Sequence, residues 1–172
     1  PIIDEHTLLI VISQSGETAD SLAALREARA RGVQTLGIVN VVGSSIAREA
    51  DNVFYTLAGP EIAVATTKAY STQLAVTILL AMYLGEQRGT LPESEYKALT
   101  AELEAVPGKL TAILDSKAEL QYLAYQHFSS EDIFFIGRNI DYALSLEGSL
   151  KLKEISYIHR SEEHTSELQS HH

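Results

Sequence analysis

Residues 8–18 decide the fold, and they read LLIVISQSGET. Their first five residues are apolar and mostly branched, which predicts a strand buried on both faces of a sheet. Short polar residues and one glycine follow directly, and a helical pattern then runs from Ala19 to Arg31. A strand that turns into a helix in this way is the usual ligand position of an open α/β sheet.

The same pattern of strand and helix continues beyond the first helix. Gln34–Val42 and Asn52–Leu57 are predicted strands, and Ser44–Ala50 between them is a predicted short helix. Strands that alternate with helices predict the α/β class, here a doubly wound parallel sheet with flanking helices.

The rest of the chain is predicted to be mostly helical, with one further strand. The predicted helices are Thr67–Gln87, Pro92–Phe128 with a break near Pro107-Gly108, and Tyr142–Ile158, and the predicted strand is Asp132–Gly137. We therefore expect a first α/β unit over residues 1–90, a helical connector over 91–129 and the start of a second α/β unit over 130–159.

The last thirteen residues, RSEEHTSELQSHH, are polar and have no periodicity. The string resembles the translation of a sequencing-library adapter. We expect residues 160–172 to be non-native and leave them out of the site analysis.

Composition narrows the possible functions of the 172-residue chain. Its formal charge of −10 argues against a nucleic-acid partner or an anionic membrane surface. The absence of cysteine excludes disulfides, cysteine-ligated zinc and a cysteine nucleophile within the chain, and it fits a reducing compartment such as the cytoplasm. The longest apolar run, Leu74–Leu84, is too short to span a bilayer. His159 and His164 have the spacing of metal ligands, but His164 lies in the tail that we expect to be non-native, so no metal site is expected.

The polar turn at residues 13–18 is the first candidate site. Gly16 permits a tight turn, and the free amides at the start of the next helix favour an anion. The hydroxyls of Ser13, Ser15 and Thr18, together with the Gln14 amide, can donate hydrogen bonds to phosphate oxygens. The simpler alternative is that Ser15 or Thr18 only caps the helix. Spacing alone leaves both interpretations open.

Two other stretches are candidates. In GPEIAVATTK, residues 59–68, Thr66 and Thr67 could contact a ligand, although helix capping is the simpler interpretation. Lys151 and Glu154, with Glu147 one turn earlier, share one helix face, where a carboxylate could move a proton beside a carbonyl. The simpler alternative is a solvated ion-pair face.

Four blocks together carry a specific resemblance: ISQSGETADSLAALREA, IVNVVGSSIAREAD, AGPEIAVATTKAYSTQL and LEGSLKLKEISYIH. They resemble the sugar-isomerase (SIS) half of glutamine–fructose-6-phosphate aminotransferases, over about residues 1–159. The resemblance implies an SIS fold and a homodimeric enzyme. In this family a separate glutaminase domain releases ammonia, and the SIS units convert fructose 6-phosphate to glucosamine 6-phosphate without a metal or organic cofactor.

The resemblance also implies roles for individual residues. The phosphate cradle and the loop beside the sugar would comprise six substrate-binding residues: Ser13, Gln14, Ser15, Thr18, Val64 and Thr66. Glu154 would be the catalytic carboxylate that transfers a proton between C1 and C2 of the sugar, and Lys151 its cationic neighbour.

Several parts of the family pattern are absent from this sequence. These are the glutaminase domain, the first strand of the first SIS unit, and the C-terminal segments that carry a ring-opening histidine and a Schiff-base lysine. We therefore expect a fragment that binds the sugar phosphate at best and is inactive alone. The alternatives are an SIS sugar-phosphate sensor of a transcriptional regulator, or another phosphosugar isomerase.

Overall fold

The computed structural model describes residues 3–4, 6–63, 66 and 68–156. The chain divides into two compact units, Pro1–Glu104 and Ala105–His172, which are described separately. The first unit contains a parallel sheet of three strands in the order β1-β2-β3. The strands are β1 (Leu8–Ser13), β2 (Gln34–Val39) and β3 (Asn52–Tyr55), and the connecting helices are α1 (Ala19–Ala30) and α2 (Ser45–Glu49). The predicted α/β order of the first five elements is confirmed.

Helices α1 and α2 contact each other and the sheet, and one apolar cluster joins all three. Val11 of β1 and Val39 of β2 meet Leu22 and Leu25 of α1 and Ile46 of α2. Leu25 and Ile46 have no exposed surface. Burying these side chains fixes both helices against the strand tips, so the turns between strand and helix rest on a rigid base.

The apolar run of β1 predicts a strand that is buried on both faces, but the structure shows burial on one face only. Val11 and Ser13 are buried, whereas Leu8, Ile10 and Ile12 are 47%, 39% and 46% exposed. The reason is position: β1 lies at one edge of the described sheet, and β2 occupies its centre. The strand that is buried along almost its whole length is therefore β2, from residue 35 to residue 39.

The remaining helices are α3 (Lys68–Gln87), α4 (Glu93–Asp115), α5 (Lys117–His127) and α6 (Ile140–Ser156). The predicted break near Pro107-Gly108 is wrong, because α4 continues through Pro107. The chain turns instead at Ser116, whose amide donates to the Ile113 carbonyl at 3.1 Å and whose hydroxyl donates to the same oxygen at 2.7 Å. This three-residue closure replaces the α-helical bond and ends α4. None of the described helices has the length and apolar content that crossing a bilayer requires.

The strand predicted at Asp132–Gly137 is not formed. Asp132 makes an isolated bridge, and residues 133–138 have no regular structure. A strand needs a neighbour for its N–H and C=O groups, and the described part of the second unit contains none. Phe134 and Ile136 are accordingly 56% and 74% exposed. The division into residues 1–90, 91–129 and 130–159 stays a prediction, and residues 160–172 lie outside the described residues.

Candidate functional site

Ser13 closes the polar turn that follows β1. Its hydroxyl accepts a hydrogen bond from the Gly16 amide at 3.0 Å and lies 2.9 Å from the Thr18 hydroxyl. Only 6% of Ser13 is exposed. Among the predicted cradle residues, Ser13 is therefore the internal brace, while Ser15 and Thr18 are exposed to solvent.

The start of α2 packs onto this turn. The Gly16 carbonyl accepts from the Ile46 amide at 3.0 Å, and Glu17 Oε1 accepts from the Ser45 amide at 2.8 Å. Hydrogen bonds from Ser45 hold the pKa of the Glu17 carboxyl below its usual value. Glu17 is therefore ionised at neutral pH, and its charge is directed to the first turn of α2.

The hydrogen bonds of Thr18 and Ser15 argue against the capping interpretation and favour anion binding. Thr18 occupies the N-cap position of α1, yet its side chain makes no capping hydrogen bond. Ser15 accepts from the Glu17 amide at 3.2 Å, which is a bond within the turn and not a helix cap. In the part of the chain that the structure describes, the amides of Ala19, Asp20 and Ser21 have no acceptor. The positive end of the 12-residue α1 thus opens onto the turn, an arrangement that favours an anion.

Two buried oxygens beside the turn lack partners. Among the described residues, only Gln14 Oε1 and Ser44 Oγ are buried side-chain polar atoms without a hydrogen bond. Ser44 is 3% exposed and packs against Gly16, whose missing Cβ would stand 2.6 Å from the Ser44 Cβ. Unpaired buried polar atoms are rare in folded proteins. Of the two, the Ser44 hydroxyl can donate a hydrogen bond, whereas Gln14 Oε1 can only accept one.

The second loop, defined as residues 56–63, follows β3. Glu61 Oε2 accepts a hydrogen bond from the Lys68 amide at 3.3 Å, so Glu61 contributes to capping the start of α3. Thr66 is half-buried. Val64 and Thr67 lie outside the described residues.

In the second unit, Lys151 stands between the two predicted acids on α6. Its Nζ is 2.9 Å from Glu154 Oε2 and 3.5 Å from Glu147 Oε1. The predicted common face is confirmed, and its side chains are only 25–36% exposed, less than a fully solvated ion pair would be. The hydrogen bond that Lys151 donates to Glu154 raises the pKa of Lys151. Lys151 therefore stays protonated at neutral pH, and of these two residues only the Glu154 carboxylate can accept a proton.

Three residues of the first unit were missed by the sequence analysis. Ser44 and Asn40 follow the central strand β2. Their position after its carboxyl end could have identified them, because ligands of parallel α/β sheets bind at the carboxyl ends of the strands. Glu61 caps α3 from seven residues away, a spacing that no local capping pattern covers.

Comparisons with known proteins agree with this architecture. Residues 1–83 match the family described as SIS domain. Glutamine–fructose-6-phosphate aminotransferases of Clostridium tetani and Symbiobacterium thermophilum are 56% and 57% identical over 159 residues, and these matches cover 92% of this chain and 26% of each relative. The C-terminal domain of the Francisella tularensis glucosamine-fructose-6-phosphate aminotransferase superposes with a TM-score of 0.87 and 38% identity, covering 91% of this chain and 44% of that one. The chain thus spans about a quarter of the length of these two curated relatives.

A pair of glycine substitutions tests whether the turn depends on the Gly16–Ser44 contact. Gly16 and Gly32 have nearly the same left-handed φ, +69° and +75°, but a Cβ on Gly32 would meet nothing within 4 Å. We expect Gly32→Ala to lower the free energy of unfolding by about 1–2 kcal/mol, the cost of that conformation for an L-residue. Gly16→Ala should lower it by clearly more, because the new methyl also collides with Ser44. Chemical denaturation measures both, and equal losses would show that the contact with Ser44 is unimportant.

Proposed function

Because this chain is an SIS-domain segment of the glutamine–fructose-6-phosphate aminotransferase family, we propose that it forms the sugar-phosphate-binding part of such an enzyme. The full-length enzyme, meaning the polypeptide that carries this segment, would convert fructose 6-phosphate and glutamine to glucosamine 6-phosphate and glutamate. The observation that carries the proposal is the turn at residues 13–18, where the exposed hydroxyls of Ser15 and Thr18 precede amides at the start of α1 that have no acceptor among the described residues. As further proposals from the family, the enzyme would be a homodimer and cytoplasmic.

The turn holds the substrate's phosphate through neutral donors. The exposed hydroxyls of Ser15 and Thr18 donate to phosphate oxygens, and the amides at the start of α1 add their dipoles. Ser13 keeps the turn closed, and Gln14 offers its side-chain amide to the ligand. Thr66 and Val64 would contact the sugar from the segment that follows the second loop.

Glu154 supplies the proton-transfer step of the proposed reaction. After ammonia has formed an imine at C2 of the sugar, the carboxylate removes a proton from C1 and delivers it to C2. The proton of the C1 hydroxyl moves to the nitrogen, and the ketose imine thereby becomes the amino aldose. Lys151, held protonated between two carboxylates, stabilises the negative charge that develops on the sugar oxygen. The chain spans about a quarter of the length of the curated relatives, and we propose that this segment is inactive by itself.

The phosphate-binding proposal predicts the effect of removing both exposed hydroxyls. In the full-length enzyme, Ser15→Ala combined with Thr18→Ala should weaken fructose 6-phosphate binding at least about tenfold, because hydrogen bonds to a charged group are lost. Isothermal titration calorimetry measures the affinity. Thr77→Val is the matched control, since the Thr77 hydroxyl only donates to the Gln73 carbonyl on α3. An unchanged affinity in the double variant would remove the turn from the site.

The proton-transfer proposal predicts a difference between the two acids that flank Lys151. Glu154→Gln should lower the rate of glucosamine 6-phosphate formation by about 100-fold or more, the usual contribution of a positioned base, and leave fructose 6-phosphate affinity within twofold. Glu147→Gln removes the other carboxylate beside the same lysine and should lower the rate only a few-fold. Equal rate losses in the two variants would mean that the cluster acts only as an ion pair.

A further inference from the structure

We propose that Asn40 is a positioning residue that sets the second loop against the phosphate-binding turn. Asn40 follows the last residue of the central strand β2, so it stands between the two segments. The inference rests on the proposed function, since it assigns the geometry of that same site.

The Asn40 side chain binds the second loop at three points. Its Oδ1 accepts hydrogen bonds from the Ala58 amide at 2.8 Å and from the Thr56 hydroxyl at 3.0 Å. Its Nδ2 donates to the Gly59 carbonyl at 2.7 Å. The acceptor and the donor of one amide group are thus both used, on three of the four residues from 56 to 59.

The Asn40 main chain binds the other segment. Its amide donates to the Gln14 carbonyl at 3.3 Å, inside the phosphate-binding turn. One residue therefore joins both segments, through its backbone on one side and its side chain on the other. Truncating the side chain removes only the connection to the second loop.

The second loop needs this support because its backbone is strained. Leu57 has a φ of +53°, in the left-handed region that a branched aliphatic residue rarely adopts, and its side chain is 81% exposed. Packing therefore does not hold Leu57 in place. Such conformations persist when surrounding contacts fix them, and here the hydrogen bonds to Asn40 fall on both neighbours of Leu57, Thr56 and Ala58.

The inference predicts that Asn40→Ala separates two affinities of the full-length enzyme. Fructose 6-phosphate binding should weaken about tenfold, because three hydrogen bonds that shape the sugar side of the site are lost. Inorganic phosphate, used as a probe of the turn alone, should bind within twofold of wild type, because Ser13, Ser15 and Thr18 are untouched. Calorimetry with each ligand measures the ratio.

Two further variants control the experiment. Asn52→Ala makes the same truncation at an exposed position of β3 and should change neither affinity. Thr56→Val removes one of the three hydrogen bonds without changing side-chain size, and should lower fructose 6-phosphate affinity about two- to threefold. It decides the matter if Asn40→Ala does not fold.

The outcomes distinguish this inference from the proposed function. If the wild-type enzyme binds neither ligand, the proposed function is wrong. If the wild type binds both ligands and the Asn40 and Thr56 variants bind them with unchanged affinities, the positioning role is wrong. A parallel loss of both ligands in the Asn40 and Thr56 variants would likewise overturn it, because Asn40 would then support the turn as a whole.

Discussion

The hydrogen bonds of the Ser13 hydroxyl hold the candidate site together. Ser13 ends β1 with its side chain buried, and it braces the turn by binding the Gly16 amide and the Thr18 hydroxyl. Because Thr18 is held by Ser13, it does not fold over α1 as a cap, and the first amides of that helix stay open. An open helix end of this kind favours an anion.

A net charge of −10 does not oppose this assignment, because the turn attracts an anion with dipoles. Its donors are hydroxyls and backbone amides in fixed positions, whose field acts at short range. The one ionised group within the turn, Glu17, is engaged by Ser45 at the start of α2. The charge of Glu17 is therefore directed to the first turn of α2. Under the proposed function, the phosphate is held by neutral donors, without a lysine.

The parts of the structure that follow from local pattern could be predicted, and those that depend on neighbours could not. The strand, turn and helix order of residues 8–55 was readable because apolar runs and Gly16 mark it. The exposure of Ile10 and Ile12 was not, since it depends on β1 lying at the edge of the described sheet. The strand predicted at residues 132–137 fails for a related reason: an extended segment becomes a strand only beside another one, and the described part of the second unit contains no other strand.

The site divides in the same way. The residue types at 13–18 and the spacing of Glu147, Lys151 and Glu154 indicated candidate side chains, but not which of them are already bonded to each other. Three features depend on contacts between residues that lie 3–28 positions apart along the chain. Ser13 braces the turn, Ser44 has an unpaired oxygen, and Asn40 binds both the turn and the second loop. A single sequence contains no direct signal for such contacts.

The most direct test is a crystal structure of the full-length enzyme with fructose 6-phosphate. The phosphate is predicted to lie at the start of α1, with its oxygens within hydrogen-bond distance of the Ser15 and Thr18 hydroxyls and of helix amides. A phosphate bound elsewhere, with the turn at residues 13–18 unchanged and unoccupied, would contradict the account.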